Sequence, residues 1–210
     1  MTANDLKDIL EFGQERRNID FKTSIPWNNR NKEFKAKITK TILGMSNIRD
    51  GGNIIIGVDR NDDDSYTCTG LENNVLNTYT KDNIASFVDV YSDPYVNIDV
   101  FKLPYKNKSF AVIKVFEFNE IPVLCKKDYN PNNNIILKDG AVYTRSYRKP
   151  ETIEVPSQSE MREILDMAVE KKLKKQLMIM ENLGITQEQV SKSRKDEDKR
   201  KFEEKLKDIK

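Results

Sequence analysis

A mixed α+β domain with a largely antiparallel sheet, followed by a C-terminal helical extension, is the architecture this sequence predicts, with the domain over residues 1–156 and the extension over 157–210. Three observations carry that reading. Phe34, Ile38, Ile42, Met45 and Ile48 recur at three- and four-residue steps, forming the continuous apolar stripe of one amphipathic helix. The run Asn53 to Val58 follows at once and is apolar on both faces, which marks a central strand covered by helix. Two turn signals then predict hairpins. Lys106 and Asn107 lie between Val96–Leu103 and Ser109–Phe116, and Asp139-Gly140 lies between Ile135–Leu137 and Ala141–Arg145.

The remaining elements follow from local chemistry. Leu6, Ile9 and Leu10 keep helical spacing with Asp5 at the cap, and Gly13 ends the pattern. Ile19 to Ser24 reads as extended, and Pro26 with Asn28, Asn29 and Asn31 makes a loop. Gly51 and Gly52 close the long helix, and Asp59 sits at the exit of the central strand. A second helix spans Lys81 to Tyr91 and stops before Pro94. Ser157 and Glu160 form a capping box that opens a helix carrying Met161, Ile164, Leu165, Ala168, Leu173, Leu177 and Met180 on one roughly heptad-like face as far as Gly184. That face is broken at Glu170 to Lys172. Thr186 and Gln189 cap a last, mixed-charge helix whose apolar residues are Phe202, Leu206 and Ile209.

Composition removes much of the catalogue of enzymes. Histidine is absent, so histidine bases, Ser-His-Asp or Cys-His nucleophile pairs and histidine metal ligands are all excluded. The two cysteines, Cys68 and Cys125, cannot assemble a four-ligand zinc site without histidine and do not make a secreted disulfide framework. A reducing, cytoplasmic setting follows, with a component of a virion as the alternative. No apolar run approaches the roughly 20 residues needed to span a bilayer, so no membrane partner is expected. Lys and Arg number 36 against 34 Asp and Glu, and from position 160 onward there are 14 basic and 12 acidic residues. Any nucleic-acid partner must therefore be met by a local patch rather than by net charge.

The candidate chemistry is concentrated near the start. If Asp20 begins a strand, Asp20 and Lys22 project from one face while Ile19 and Phe21 point to the core. Glu15 folds back across the Gly13 break to the same place, and Asp59 leaves the end of the buried strand. Gathered carboxylates need a proton or cation between them, and hard oxygen ligands suit Mg²⁺ or Mn²⁺. A metal held by Glu15, Asp20 and Asp59 would activate water for phosphodiester cleavage, with Lys22 stabilising the developing charge. The alternative is structural: Glu15 pairs with Arg16, Arg17 or Lys22, Asp20 is a polar edge residue, and Asp59 opens a turn.

Taken together, Leu10 to Lys22 with Glu15 and Asp20-Phe21-Lys22, the helix running into Met45 to Gly52, the strand Ile54 to Asp59, Gly70, and Ala141 to Arg148 resemble the Schlafen-type AlbA_2 domain over roughly Leu6 to Leu165. The resemblance implies a compact α/β module. Characterised members of that family are metal-dependent endoribonucleases acting on structured RNA such as transfer RNA, and others are described as DNA-binding or ATP-binding domains of regulators. It places the family acids on Glu15, Asp20 and Asp59, with Asp at position 20 where Glu is usual. Active Schlafen nucleases present two lobes around a basic groove, whereas this chain has one.

Arg145, Arg148 and Lys149, with Tyr143 and Tyr147 interleaved, read either as phosphate and base contacts for RNA or single-stranded DNA or as the solvated face of a closing strand. Gly51-Gly52 reads as a helix end and a tight start to the strand, since it lacks the lysine and spacing of a P-loop. Trp27 is either a lid over the helix end or an exposed contact residue. The helix from Met161 packs back on the domain or against another copy, giving a homo-oligomer or larger assembly. Two functions follow: a Schlafen-like nuclease, or a binding or structural module that keeps the fold without chemistry.

Overall fold

The computed structural model describes residues 1–155 and 157–183. The helices are α1 (Ala3–Phe12), α2 (Lys32–Ser46), the single turn α3 (Asn73–Leu76), α4 (Lys81–Val88) and α5 (Gln158–Asn182). The strands are β1 (Ile19–Lys22), β2 (Gly52–Ile56), β3 (Val58–Arg60), β4 (Tyr66–Cys68), β5 (Ser92–Asp93), β6 (Ile98–Tyr105), β7 (Lys108–Val115), β8 (Leu124–Cys125), β9 (Tyr143–Arg145) and β10 (Thr152–Glu154). The chain divides into two compact units, Met1–Ala168 and Val169–Lys210. All the strands lie in the first.

A four-stranded sheet in the order β1-β2-β7-β6 organises the first unit. β1 runs parallel to β2, and the β2–β7 and β7–β6 ladders are antiparallel, so the sheet is mixed and mostly antiparallel. The three isoleucines of β2 explain why this strand is central. Ile55 joins Leu6, Leu10, Ile19, Phe21, Phe110 and Val112 on the α1 side, while Ile54 and Ile56 join Ile38, Ile42, Ile113 and Val115 on the α2 side. All three are fully buried, which only a sheet covered on both faces allows.

Helix α1 is capped reciprocally by Thr2 and Asp5, and Gly13 closes it in the left-handed conformation. The β6–β7 turn is a two-residue hairpin at Lys106-Asn107, both at positive φ, which matches the twist of the flanking strands. Helix α2 stops at Ser46, before the glycines expected to end it. Asn47 takes over as its C-cap. Fully buried, it donates to the Val123 and Tyr143 carbonyls at 2.7 and 2.9 Å and accepts from the Val123 N–H at 2.8 Å. Gly51 is required for a different reason: at φ 65° its missing Cβ would lie 2.1 Å from the Val115 carbonyl oxygen.

The second expected hairpin does not form. The Asp139-Gly140 turn is present, but its flanks pair with a third segment: Leu137 bridges Tyr129, while Cys125 donates to the Ala141 carbonyl and accepts from Gly140. β9 pairs antiparallel with β10 instead. Gly44 lets this β9–β10 hairpin approach α2, since a Cβ there would lie 2.6 Å from the Thr152 methyl group.

In α5, Ile164 and Met167 are buried and the helix runs without interruption through Glu170 to Lys172. Within the second unit, Val169, Leu173, Leu177, Met178 and Ile179 are exposed. The helix expected from Thr186, with Phe202, Leu206 and Ile209, lies outside the described residues. Among the described residues no helix is long and apolar enough to cross a membrane.

Gly51→Ala is expected to cost about 3 kcal/mol, combining a left-handed backbone with a backbone clash. Gly140→Ala, at φ 75° with open space around it, is expected to cost only about 1 kcal/mol. Urea denaturation midpoints at constant slope measure both.

Candidate nucleic-acid interface

Glu15, Asp20, Lys22 and Arg145 come together at the outer edge of β1, although the arrangement is more buried than a surface site. Ile19 and Phe21 face the α1 side. The opposite face, expected at the surface, is covered by the β9–β10 hairpin, so Asp20 is only 3% exposed. Arg145 explains the burial. Its side chain is 1% exposed, and Nη1 meets Asp20 Oδ1 at 3.1 Å and Thr152 Oγ1 at 3.3 Å. Nε donates to the Arg17 carbonyl at 3.0 Å, and Nη2 to the carbonyls of Pro150, Arg16 and Ile19 at 2.9 to 3.5 Å. Every donor of the guanidinium is engaged inside the protein. Arg145 is therefore not presented to a ligand.

Lys22 forms an ion pair with the other carboxylate oxygen of Asp20. Asp20 is thus balanced by two cations. Glu15 reaches the free edge of β1, where Oε1 accepts from the Phe21 N–H at 2.7 Å. Burial, followed by the charge of Asp20, pushes the Glu15 carboxyl above its ordinary value. Tyr66, on β4, stands beside it with its ring edge-on to Phe21 at 5.0 Å, and burial and the Glu15 charge push its hydroxyl up as well. Asp59 lies on β3, paired in register with Thr67. Its Oδ1 is out of contact with solvent and has no hydrogen-bond partner among the described residues.

These acids do not fit a divalent cation as arranged. The Asp20 carboxylate already serves Lys22 and Arg145, Glu15 serves a backbone N–H, and among the described residues no three His, Cys, Asp or Glu side chains are grouped to hold a metal.

The cationic surface lies on the turn beyond Arg145. Tyr147 is 60% exposed, and the Arg17 guanidinium stacks on its ring at 3.6 Å. Arg17 is held there by two bonds to Glu163, at 2.9 and 2.5 Å, and by Nε donating to the Arg145 carbonyl at 2.8 Å. Burial opposes ionisation of Glu163, but hydrogen bonds from Arg17 and Tyr147 outweigh it and hold the carboxyl below its ordinary value. Tyr147, Arg148, Lys149, Glu151, Ser157 and Ser159 line a cleft of 450 Å³. Arg148 and Lys149 have no ion-pair partner among the described residues. Arg17 and Glu163 were invisible in the sequence reading because 146 positions separate them. Tyr66 carried no periodic signal in its short strand.

Arg145→Met is expected to destabilise the domain by about 3 to 5 kcal/mol, because Asp20 is left buried with one cation fewer. Pairing it with Asp20→Leu should cost less than the two single changes together, a coupling read by a double-mutant cycle in urea. The raised Glu15 carboxyl binds its proton more tightly folded than unfolded. This group's contribution is therefore favourable in acid and is lost as pH rises above the ordinary value of 4.5 through the raised one. Glu15→Gln should remove that part of the pH dependence, which thermal melts between pH 4 and 7 would reveal.

Among the solved structures similar to the chain are the two that follow. The N-terminal domain of a RecG-related protein from Nitrosomonas europaea aligns with a TM-score of 0.47 at 21% identity, covering 75% of this chain and 96% of that one. The DIP2311 protein from Corynebacterium diphtheriae aligns with a TM-score of 0.44 at 14% identity, covering 70% of this chain and 23% of that one. No curated protein matches the chain. The Schlafen, AlbA_2 family model matches residues 15–154, which takes in Glu15, the whole four-stranded sheet and the β9–β10 hairpin. With two thirds of its length under that match, the chain belongs to the Schlafen AlbA_2 family.

Proposed function

We propose that this domain binds nucleic acid through the turn between β9 and β10, as a binding module in which Asp20 and Arg145 are structural. Family membership supports a nucleic-acid-related role. The observation that carries the particular reading is the exposed Tyr147 ring beside Arg148 and Lys149, two cations without an ion-pair partner among the described residues. Phosphates are met by the two cations, and an unstacked base is met by the ring. Arg17, its charge matched by Glu163, stacks on the ring and fixes its orientation. Single-stranded or looped RNA and single-stranded DNA present such bases, whereas a regular duplex does not.

Cleavage is the second reading, and one observation favours it: Glu15 lies close enough to Asp20 for that charge to raise it, and Asp59 keeps a buried, unpartnered oxygen. Mg²⁺ or Mn²⁺ is the cofactor this reading calls for, and capture of the ion would require the Asp20 pairing to open.

The test is binding of labelled hairpin RNA and single-stranded DNA to the full chain over a series of salt concentrations. Arg148→Ala and Lys149→Ala should each weaken binding for all sequences and lower the slope of log K against log salt by about 1. Tyr147→Ala should cost about 1 to 3 kcal/mol for single strands and little for duplex. Unchanged affinity in all three variants would overturn the interface. Cleavage on adding Mg²⁺ or Mn²⁺ that is lost in Asp59→Asn would establish the second reading.

A further inference from the structure

At the far end of α2 from the β9–β10 hairpin, a second cleft contains a cation that no acid among the described residues neutralises. Trp27, Asn29, Lys35, Asn83, Ser86 and Phe87 line a space of 470 Å³. Lys35 is 6% exposed, and its ammonium lies 4.0 Å from the centre of the Phe87 ring and 5.3 Å from that of Trp27. Those rings supply a cation–π environment. They supply no counter-ion, and no acid among the described residues pairs with Lys35. The neighbouring acid on the same helix, Glu33, pairs with Lys37 at 2.7 Å. Burial, reinforced by the charge of Lys32, pulls the Lys35 ammonium below its ordinary value. Two further features point the same way. Lys35 stands in the first turn of α2, where the helix dipole is already positive, and the Asn31 side chain at the α2 N-cap makes no capping bond to the helix, donating instead to the Pro26 carbonyl.

We propose that this cleft is a phosphate site, in which the Lys35 ammonium is the counter-ion and the Asn29, Asn83 and Ser86 side chains supply neutral hydrogen bonds to the remaining oxygens. A buried ammonium without a carboxylate gains most from an anion that enters with it, and lysine serves phosphate as a point charge. The aromatic wall of Phe87 beside the ammonium suits a phosphate ester with a flat or apolar substituent, as in a nucleoside monophosphate, and equally the terminal phosphate of a nucleic-acid strand. The proposal stands apart from the interface at Tyr147, because none of its residues is shared.

Trp27 is the only tryptophan in the chain and lines this cleft, so its fluorescence reports on the site directly. Full-length protein would be titrated at constant ionic strength with inorganic phosphate, adenosine monophosphate, and an oligonucleotide with or without a 5′-phosphate, with chloride as the control. The expected result is a saturable change with phosphate and the monophosphate, absent with chloride and weakened at least tenfold in Lys35→Met, but unaltered by Arg148→Ala with Lys149→Ala. A stronger response to the phosphorylated oligonucleotide than to the monophosphate assigns the strand end as the source, and the reverse assigns the free nucleotide. Lys35→Arg, which keeps the charge, and Asn83→Ala provide the comparison if Lys35→Met fails to melt cooperatively. The former should retain binding and the latter weaken it. A response to phosphate no different from that to chloride, or an identical curve in every cleft variant, overturns the proposal.

Discussion

The buried guanidinium of Arg145 is the constraint on which the rest of the first unit depends. A cation removed from water needs an acceptor for every donor, and Arg145 finds them in three places at once. These are the Arg16–Asp20 segment at the edge of the sheet, the Thr152 hydroxyl and the Pro150 carbonyl of its own hairpin. The arginine thereby fastens the β9–β10 hairpin over β1. An edge strand with one free side is a site for unwanted pairing. Here that side is occupied by the Glu15 carboxylate on the Phe21 N–H and by the bridge between Arg16 and Ile19.

The same interaction decides what the acids near β1 do. Asp20 is drawn inward as counter-ion to Arg145 and Lys22. Glu15 stays at the margin with its proton held more tightly, and Asp59 is half-buried on a separate two-stranded ribbon. Three carboxylates that look alike in sequence therefore occupy three different electrostatic settings. Arg17 extends the chain of contacts outward, accepting from the Arg145 side chain at its own carbonyl, donating to the Arg145 carbonyl and then gripping Glu163. That grip places the Arg17 plane on Tyr147 and brings the aromatic ring and the turn's free cations into one surface.

What was legible in the sequence was what local chemistry determines. The α2 stripe, the central position of β2 and the Lys106-Asn107 turn each depend on residues within a few positions of one another. The β9 partner was not legible, because Asp139-Gly140 is a sound turn signal whose flanks happen to pair with residues 125–129. The true partner, Thr152–Glu154, is too short and polar to read as a strand. Arg145 looked like an exposed contact because its charged acceptor, Asp20, lies 125 positions upstream and nothing near it in the chain announces it. Trp27 read either as a lid over the helix end or as an exposed contact, and it is 4% exposed, with its indole N–H donated to the Asn83 carbonyl at 3.2 Å. In each case the missing information was a long-range contact rather than a misread propensity.

Net charge near zero is a poor guide to partners here because the pairing is uneven. Many of the acids are already matched: Asp20 with Arg145 and Lys22, Glu163 with Arg17, Glu33 with Lys37, Asp99 with Lys81, and Glu154 with Lys138. Matching removes charges of both signs from what an approaching anion meets at short range, where solvent screens least. Among the cations that no acid pairs within the described residues are Arg148 and Lys149 at one end of α2 and Lys35 at the other. On the proposed reading, a chain of this composition meets an anion through a few cations that no acid pairs among the described residues. On that reading the positions of those cations, rather than their number, decide where an anion binds.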